Sequence, residues 1–166
     1  MDNYIYIDGK KIEISEREAK RLRKEYDKKI YNIKEGDECY RLSATGVVGG
    51  FTYRKKRTTK TELSQGNLFM TKKAAEHERD KREAIFKIKK YIYDHFGYNP
   101  TDWADWSDID EKKYFIYYIP YVGAYSTKVC GRTKFYSPIS YLKTKDQAQE
   151  IIDNFEDELK IIFNIR

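Results

Sequence analysis

Leu68–Ile88, LFMTKKAAEHERDKREAIFKI, can be laid over Tyr141–Ile161, YLKTKDQAQEIIDNFEDELKI, at a shift of 73 residues. Thr71 then falls on Thr144, Lys72 on Lys145, Ala75 on Ala148, Asp80 on Asp153, Glu83 on Glu156, Lys87 on Lys160 and Ile88 on Ile161. Gly50 falls on Gly123 at the same shift. Helix-start chemistry alone would produce the Thr–Ala match, but not matched strands upstream of it. A repeated helix preceded by strands implies two copies of one strand–strand–strand–helix unit. The expected fold is α+β, an N-terminal β-hairpin and helix followed by two pseudo-repeated small antiparallel sheet-plus-helix units. The expected divisions are 1–34 for hairpin and helix, 35–100 for the first unit, 101–111 for an acidic Trp linker and 112–166 for the second unit.

Local signals fill in this outline. Tyr4–Ile7 alternates, Asp8-Gly9 supplies a turn, and Ile12 and Ile14 alternate again, as in a hairpin. Ser15 with Glu18 fits a capping box, and Ala19, Leu22, Tyr26 and Ile30 make one apolar stripe on the helix that follows. EGDECYRLSATGVVGGFTYRKK reads as strands around glycine turns, and the polar RKKRTTKTELSQGN as a loop or frayed strand pair. The next helix runs from an N-cap at Thr71 to a C-cap at Gly97, with Ala74, Ala75, Ile85, Ile88 and Ile92 inside. Its middle, EHERDKRE, is polar all round and is expected to face water or a partner. EKKYFIYYI, VGAYSTKVC and TKFYS read as strands. One closing helix carries Ala148, Ile151, Ile152, Phe155, Leu159 and Ile162, with Thr144 and Gln147 as its capping pair.

With 36% charged and 40% apolar residues among 166, the chain has a thin apolar supply, and its 16 tyrosines carry much of it. A tyrosine buries a ring while keeping its hydroxyl wet, which suits small sheets with one face near solvent. Cys39 and Cys130 form no CxxC pair and read as buried free thiols in a reducing cytoplasm. No apolar leader or membrane-length stretch is visible, so a cytoplasmic protein without membrane contact is expected.

The net charge of +6 is uneven: residues 1–100 carry 24 basic against 16 acidic side chains, and residues 101–166 carry 9 against 11. The densest basic run is Arg54, Lys55, Lys56, Arg57 and Lys60. It would contact phosphates, with Phe51 and Tyr53 placed to stack on bases, although a basic loop is also a common device for protecting a strand edge. Arg79, Lys81 and Arg82, with Lys87, Lys89 and Lys90, extend the basic character along the long helix. Trp103 and Trp106 sit among Asp102, Asp105, Asp108, Asp110 and Glu111. The indoles are expected to lie on the core while the acids meet water or the basic half. The other reading is an acidic-aromatic patch that binds a basic partner.

Signals for catalysis are weak. His77 and His95 have no HExxH spacing and no cysteine nearby in sequence, and His95 suits a helix C-terminus. Cys39 or Cys130 paired with a histidine, or Asp105 with Asp108 around Mg²⁺, are the enzymatic candidates. TGVVGG is neither a P-loop nor a dinucleotide fingerprint. No catalytic residue, cofactor or metal is expected.

Together, IDGKKIEISEREAKRL, GDECYRLSATGVV, GNLFMTKKAAEHE, DWSDIDEKKYFIYY and ISYLKTKDQAQEII resemble small uncharacterised proteins encoded by phages and prophages of Firmicutes. Ser137-Pro138 departs from that pattern before the last strand. The resemblance implies a mobile-element accessory role with no assigned chemistry. The expected function is non-enzymatic, binding and inhibiting a host protein such as a defence nuclease or nucleoprotein complex, in the manner of an anti-CRISPR protein. The alternative is a DNA- or RNA-binding module using the basic loop and helix. Candidate partner-binding residues are Arg54, Lys55, Lys56, Arg57, Lys60, Arg79, Lys81, Arg82, Trp103 and Trp106. Oligomeric state stays open.

Overall fold

A computed structural model describes residues 3–7, 10–21, 33–131 and 137–165. It is mixed α+β and divides into two compact units, Met1–Glu76 and His77–Arg166. The division falls inside a long helix, and residues 101–111 lie wholly in the second unit.

In the first unit, β1 (Asn3–Ile7) pairs antiparallel with β2 (Lys10–Ile14), with Ile5 opposite Ile12. Ser15 Oγ accepts the Glu18 amide at 3.2 Å while the Glu18 carboxylate accepts the Ser15 amide at 3.4 Å, closing the expected capping box. Residues 16–21 are helical (α1) with Ala19 buried. The turn at Asp8-Gly9 and the stripe at Leu22, Tyr26 and Ile30 lie outside the described residues.

A three-stranded antiparallel sheet follows, in the order β4 (Val48–Thr52), β3 (Glu38–Leu42), β5 (Leu68–Phe69). Ile33, Cys39, Tyr53 and Leu68 form its core, with Phe51, Leu63 and Met70 against them. The stretch expected as a loop or frayed strands contains α2 (Arg57–Ser64). Its threonines and its basic first turn disfavour a helix, so the sequence alone argued against one. Contacts from elsewhere hold it. Buried Thr59 donates to the carbonyls of Arg54 and Lys56 and accepts the Lys56 amide. Leu63 packs on the core, and Glu62 reaches Arg41 on β3 at 3.2 Å.

Helix α3 (Lys72–Phe96) starts where Thr71 Oγ1 accepts the Ala74 amide at 3.2 Å, and ends at Gly97 with φ +71°, as expected of both residues. In the second unit its inner face is Ala84, Ile88 and Ile92, while none of residues 76–83 is fully buried. β6 (Lys113–Ile119) and β7 (Ala124–Cys130) form an antiparallel hairpin. Leu142 adds a bridge to Tyr114, with both backbone bonds at 2.8 Å. The strand expected at TKFYS lies outside the described residues apart from Ser137. Gly50 is inside β4, opposite Tyr40, whereas Gly123 is in the β6–β7 turn with φ +71°, so the two glycines hold unlike places.

The expected closing helix is two helices, α4 (Lys145–Asn154) and α5 (Glu156–Ile162). Phe155 breaks them at φ −129°, ψ 35° and packs on the core, 5.0 Å from the Tyr91 ring. Glu156, Asp157 and Glu158 then occupy the first turn of α5, where three carboxylates favour a fresh positive helix end. At α4, Thr144 Oγ1 accepts the Gln147 amide at 3.1 Å, while the Gln147 side chain accepts the Lys143 amide at 3.1 Å. Thr144→Ala is expected to lower stability by about 1 kcal/mol in urea denaturation. An unchanged midpoint would mean that α4 forms without its cap.

Candidate functional site

The basic run lies in the first unit. Arg54, Lys55 and Lys56 are exposed on the connection from β4 to α2, and Arg57 and Lys60 are exposed on α2. The aromatic half of the expected nucleic-acid contact is not available there. Tyr53 is 3% exposed in the core, and half-buried Phe51 lies under the Arg41 guanidinium at 5.4 Å. Alternation sends Tyr53 inward, which the flanking charges obscured.

Arg79, Lys81 and Arg82 are on α3 in the second unit. Arg79 holds Asp80 at 2.7 Å and Arg82 holds Glu78 at 2.8 Å. Lys87 likewise meets Glu158 at 3.1 Å, and Lys90 pairs with Asp94. Much of the positive charge on this helix is therefore answered locally. Such exposed pairs add little stability, but they lower the field offered to a phosphate.

The tryptophans are anchors. Trp103 Nε1 donates to the Tyr141 carbonyl at 2.8 Å, and its ring meets Tyr98 edge-on at 5.6 Å. Trp106 meets Tyr141 edge-on at 4.8 Å. Lys143 Nζ lies 4.5 Å from the Tyr98 ring centroid and 5.5 Å from that of Trp103. Tyr98 donates to Gln147 at 3.1 Å, and burial pushes its hydroxyl pKa up to about 12.

The acids around them close on a residue that sequence reasoning missed. Lys113 is fully buried, with Nζ 2.9 Å from the Glu111 carbonyl, 3.2 Å from the Asp108 carbonyl and 3.0 Å from Glu111 Oε2. Its three donors are thus all used, beneath the Trp106 ring at 5.4 Å. Glu111 Oε2 also accepts the Asp105 amide at 2.8 Å. Asp105 Oδ1 accepts the Ser107 amide and hydroxyl, and Asp108 Oδ1 accepts the amides of Asp110 and Glu111. The Ser107 hydroxyl and amide hold the Asp105 carboxyl below its usual range. A depressed carboxyl contributes stability that is present above its unfolded value and lost as pH falls through the folded one. The signal in the sequence was Lys113 two residues before Phe115, an inward position on a strand, two residues after the acidic stretch that ends at Glu111.

The enzymatic candidates do not all fall within one unit. Cys39 and Cys130 are free and buried, and burial raises both thiols above their ordinary value, away from the reactive thiolate. They lie in different units, and Cys130 Sγ contacts the Lys113 carbonyl at 3.4 Å. His77 is exposed. His95 stacks on Tyr91 at 3.9 Å, with Nδ1 3.2 Å from the Tyr91 carbonyl at the end of α3. The bonded oxygen of Asp105 accepts from Ser107 and that of Asp108 from the Asp110 and Glu111 amides, with no donor shared between them.

The outer face of α3 is the surface the sequence did not single out. Phe86 is 67% exposed and Tyr93 62%, and both line an open groove of about 580 Å³ with Lys89, Lys90, Asp94 and Pro100. The signal was present in the spacing of Phe86 and Tyr93, two helical turns apart on the side away from Ile88 and Ile92. No described helix is long and apolar enough to cross a membrane. Comparison with protein-family models, with curated proteins and with solved structures finds no match.

Proposed function

We propose that this chain is a non-enzymatic binding protein, a phage or mobile-element accessory factor that binds and inhibits a host protein in the bacterial cytoplasm. The target class that fits best is a defence nuclease, whose strongly polarised surface would be steered onto the uneven charge of this chain. The observation that carries the reading is the pair of large aromatics, Phe86 and Tyr93, left more than 60% exposed on one helix face. Meanwhile the chemistry-rich stretch 103–113 bonds inward to its own core. Exposed aromatic area of that kind is costly unless a partner covers it.

We also read residues 35–100 and 112–166 as variants of one strand–strand–strand–helix design. In support, Phe69 and Leu142 each pair with the first strand of the preceding hairpin. Two residues after each of them, Thr71 and Thr144 cap a helix. A second function, nucleic-acid binding, is favoured only by the exposed cations at Arg54–Arg57.

Capture from host lysate with the purified chain, with and without nuclease treatment, tests the function. A stoichiometric protein retained after nuclease is expected. Retention lost on nuclease treatment would favour the nucleic-acid reading, and recovery of no stoichiometric protein would contradict the proposal.

A further inference from the structure

We infer that the groove on the outer face of α3 docks an acidic, apolar protein segment. The segment is an amphipathic helix whose apolar side chains cover Phe86 and Tyr93 and whose carboxylate meets Lys89. This rests on the binding-protein reading and names its site. Phe86 and Tyr93 are seven residues apart, a separation of about 10.5 Å along the helix. Lys89 lies between them on the same face and lines the same groove. An apolar pair two turns apart with a polar group between is the pattern that receives the i, i+3, i+7 anchors of a partner helix.

The opposite wall is held in place. Ser140 Oγ donates to the Pro100 carbonyl, Thr101 donates its amide to Asn99 Oδ1 at 3.1 Å, and Asn99 Nδ2 donates to Asp102 at 3.0 Å. A preformed wall reduces the ordering cost of binding.

Charge selects the occupant. Lys90 pairs with Asp94, whereas Lys89 has no ion pair among the described residues, leaving the groove one positive charge in excess. A partner carboxylate would meet that charge. A phosphate backbone is a poorer fit, because Asp94 lines the groove and Phe86 and Tyr93 give it two exposed apolar rings. A second copy is also a poorer fit. A two-fold axis through the middle of this face would set Lys89 and Lys90 against the same lysines of the other copy.

The probe is a helical peptide of leucine and glutamate, with leucine at i, i+3 and i+7. Its lysine counterpart and an oligothymidylate serve as controls, titrated into the isotope-labelled full chain. Saturable binding of the acidic peptide is expected, with amide shifts concentrated at residues 86–101. Affinity should fall tenfold or more in the Phe86→Ala/Tyr93→Ala double variant, and Lys89→Glu should reverse the preference toward the basic peptide. Both aromatics are exposed, so the double variant keeps its fold, which a circular dichroism melt verifies. The inference is overturned by no saturable acidic-peptide binding, by equal affinity in the double variant, or by tighter oligothymidylate binding at this face. It is also overturned by a dimer in sedimentation that the double variant dissolves. If lysate capture yields a nuclease-resistant protein partner that the double variant holds equally well, the groove assignment fails and the binding function stands.

Discussion

Lys113→Met is expected to cost about 2–4 kcal/mol in urea denaturation, a large effect for a lysine. Methionine fills the volume of the aliphatic stem but donates no hydrogen bond. The carbonyls of Asp108 and Glu111 would then lose their buried donor, and Glu111 Oε2 its ion pair. The Glu111 side chain is 30% exposed and can recover some water, which places the loss toward the lower part of the range for a broken buried pair. Trp106 loses the cation beneath its ring, so its fluorescence should report the change. A loss under about 0.5 kcal/mol, the ordinary scale for a surface substitution, would mean that the ammonium is solvated.

Trp103→Ala is expected to cost about 3–5 kcal/mol, and Trp103→Phe about 1 kcal/mol. Trp103 packs against two clusters of the second unit, one built on Ile88, Ile92 and Leu159 and the other on Phe115, Cys130 and Tyr141. Removing the indole opens a cavity between them and frees the Tyr141 carbonyl. Phenylalanine refills most of the volume and loses chiefly that one hydrogen bond. If both variants melt with the wild type, the indole is a surface group available to a partner, as the other sequence reading had it.

The elements legible in the sequence are those fixed by neighbours a few residues apart. Ser15, Thr71 and Thr144 cap helices because a short side chain three residues ahead of an amide suffices, and Gly97 ends α3 because a positive φ is needed there. The strands β1 and β2 were legible in their alternation, and β6 and β7 as apolar strand-like runs. Helix α2 was not, because Leu63 and the Glu62–Arg41 pair hold it from across the sheet while its own residues disfavour it. The break at Phe155 was hidden because apolar spacing alone continues through it. Lys113 was hidden because a charged side chain reads as surface until the backbone of the preceding loop is seen to supply its acceptors. Phe86 and Tyr93 carry neither charge nor motif, and only their helical spacing, on the side away from Ile88 and Ile92, marks them as exposed.

Under the proposed function, the acidic stretch is spent on Lys113 and on its own backbone, and recognition falls to the outside of the molecule. A double-mutant cycle of Lys113→Met and Glu111→Gln, read by urea denaturation, tests it most directly. A coupling of about 1–3 kcal/mol between the two substitutions is expected. Effects that add to within about 0.5 kcal/mol would contradict it, and would return Glu111 and its neighbouring carboxylates to solvent as a surface open to a metal or a basic partner.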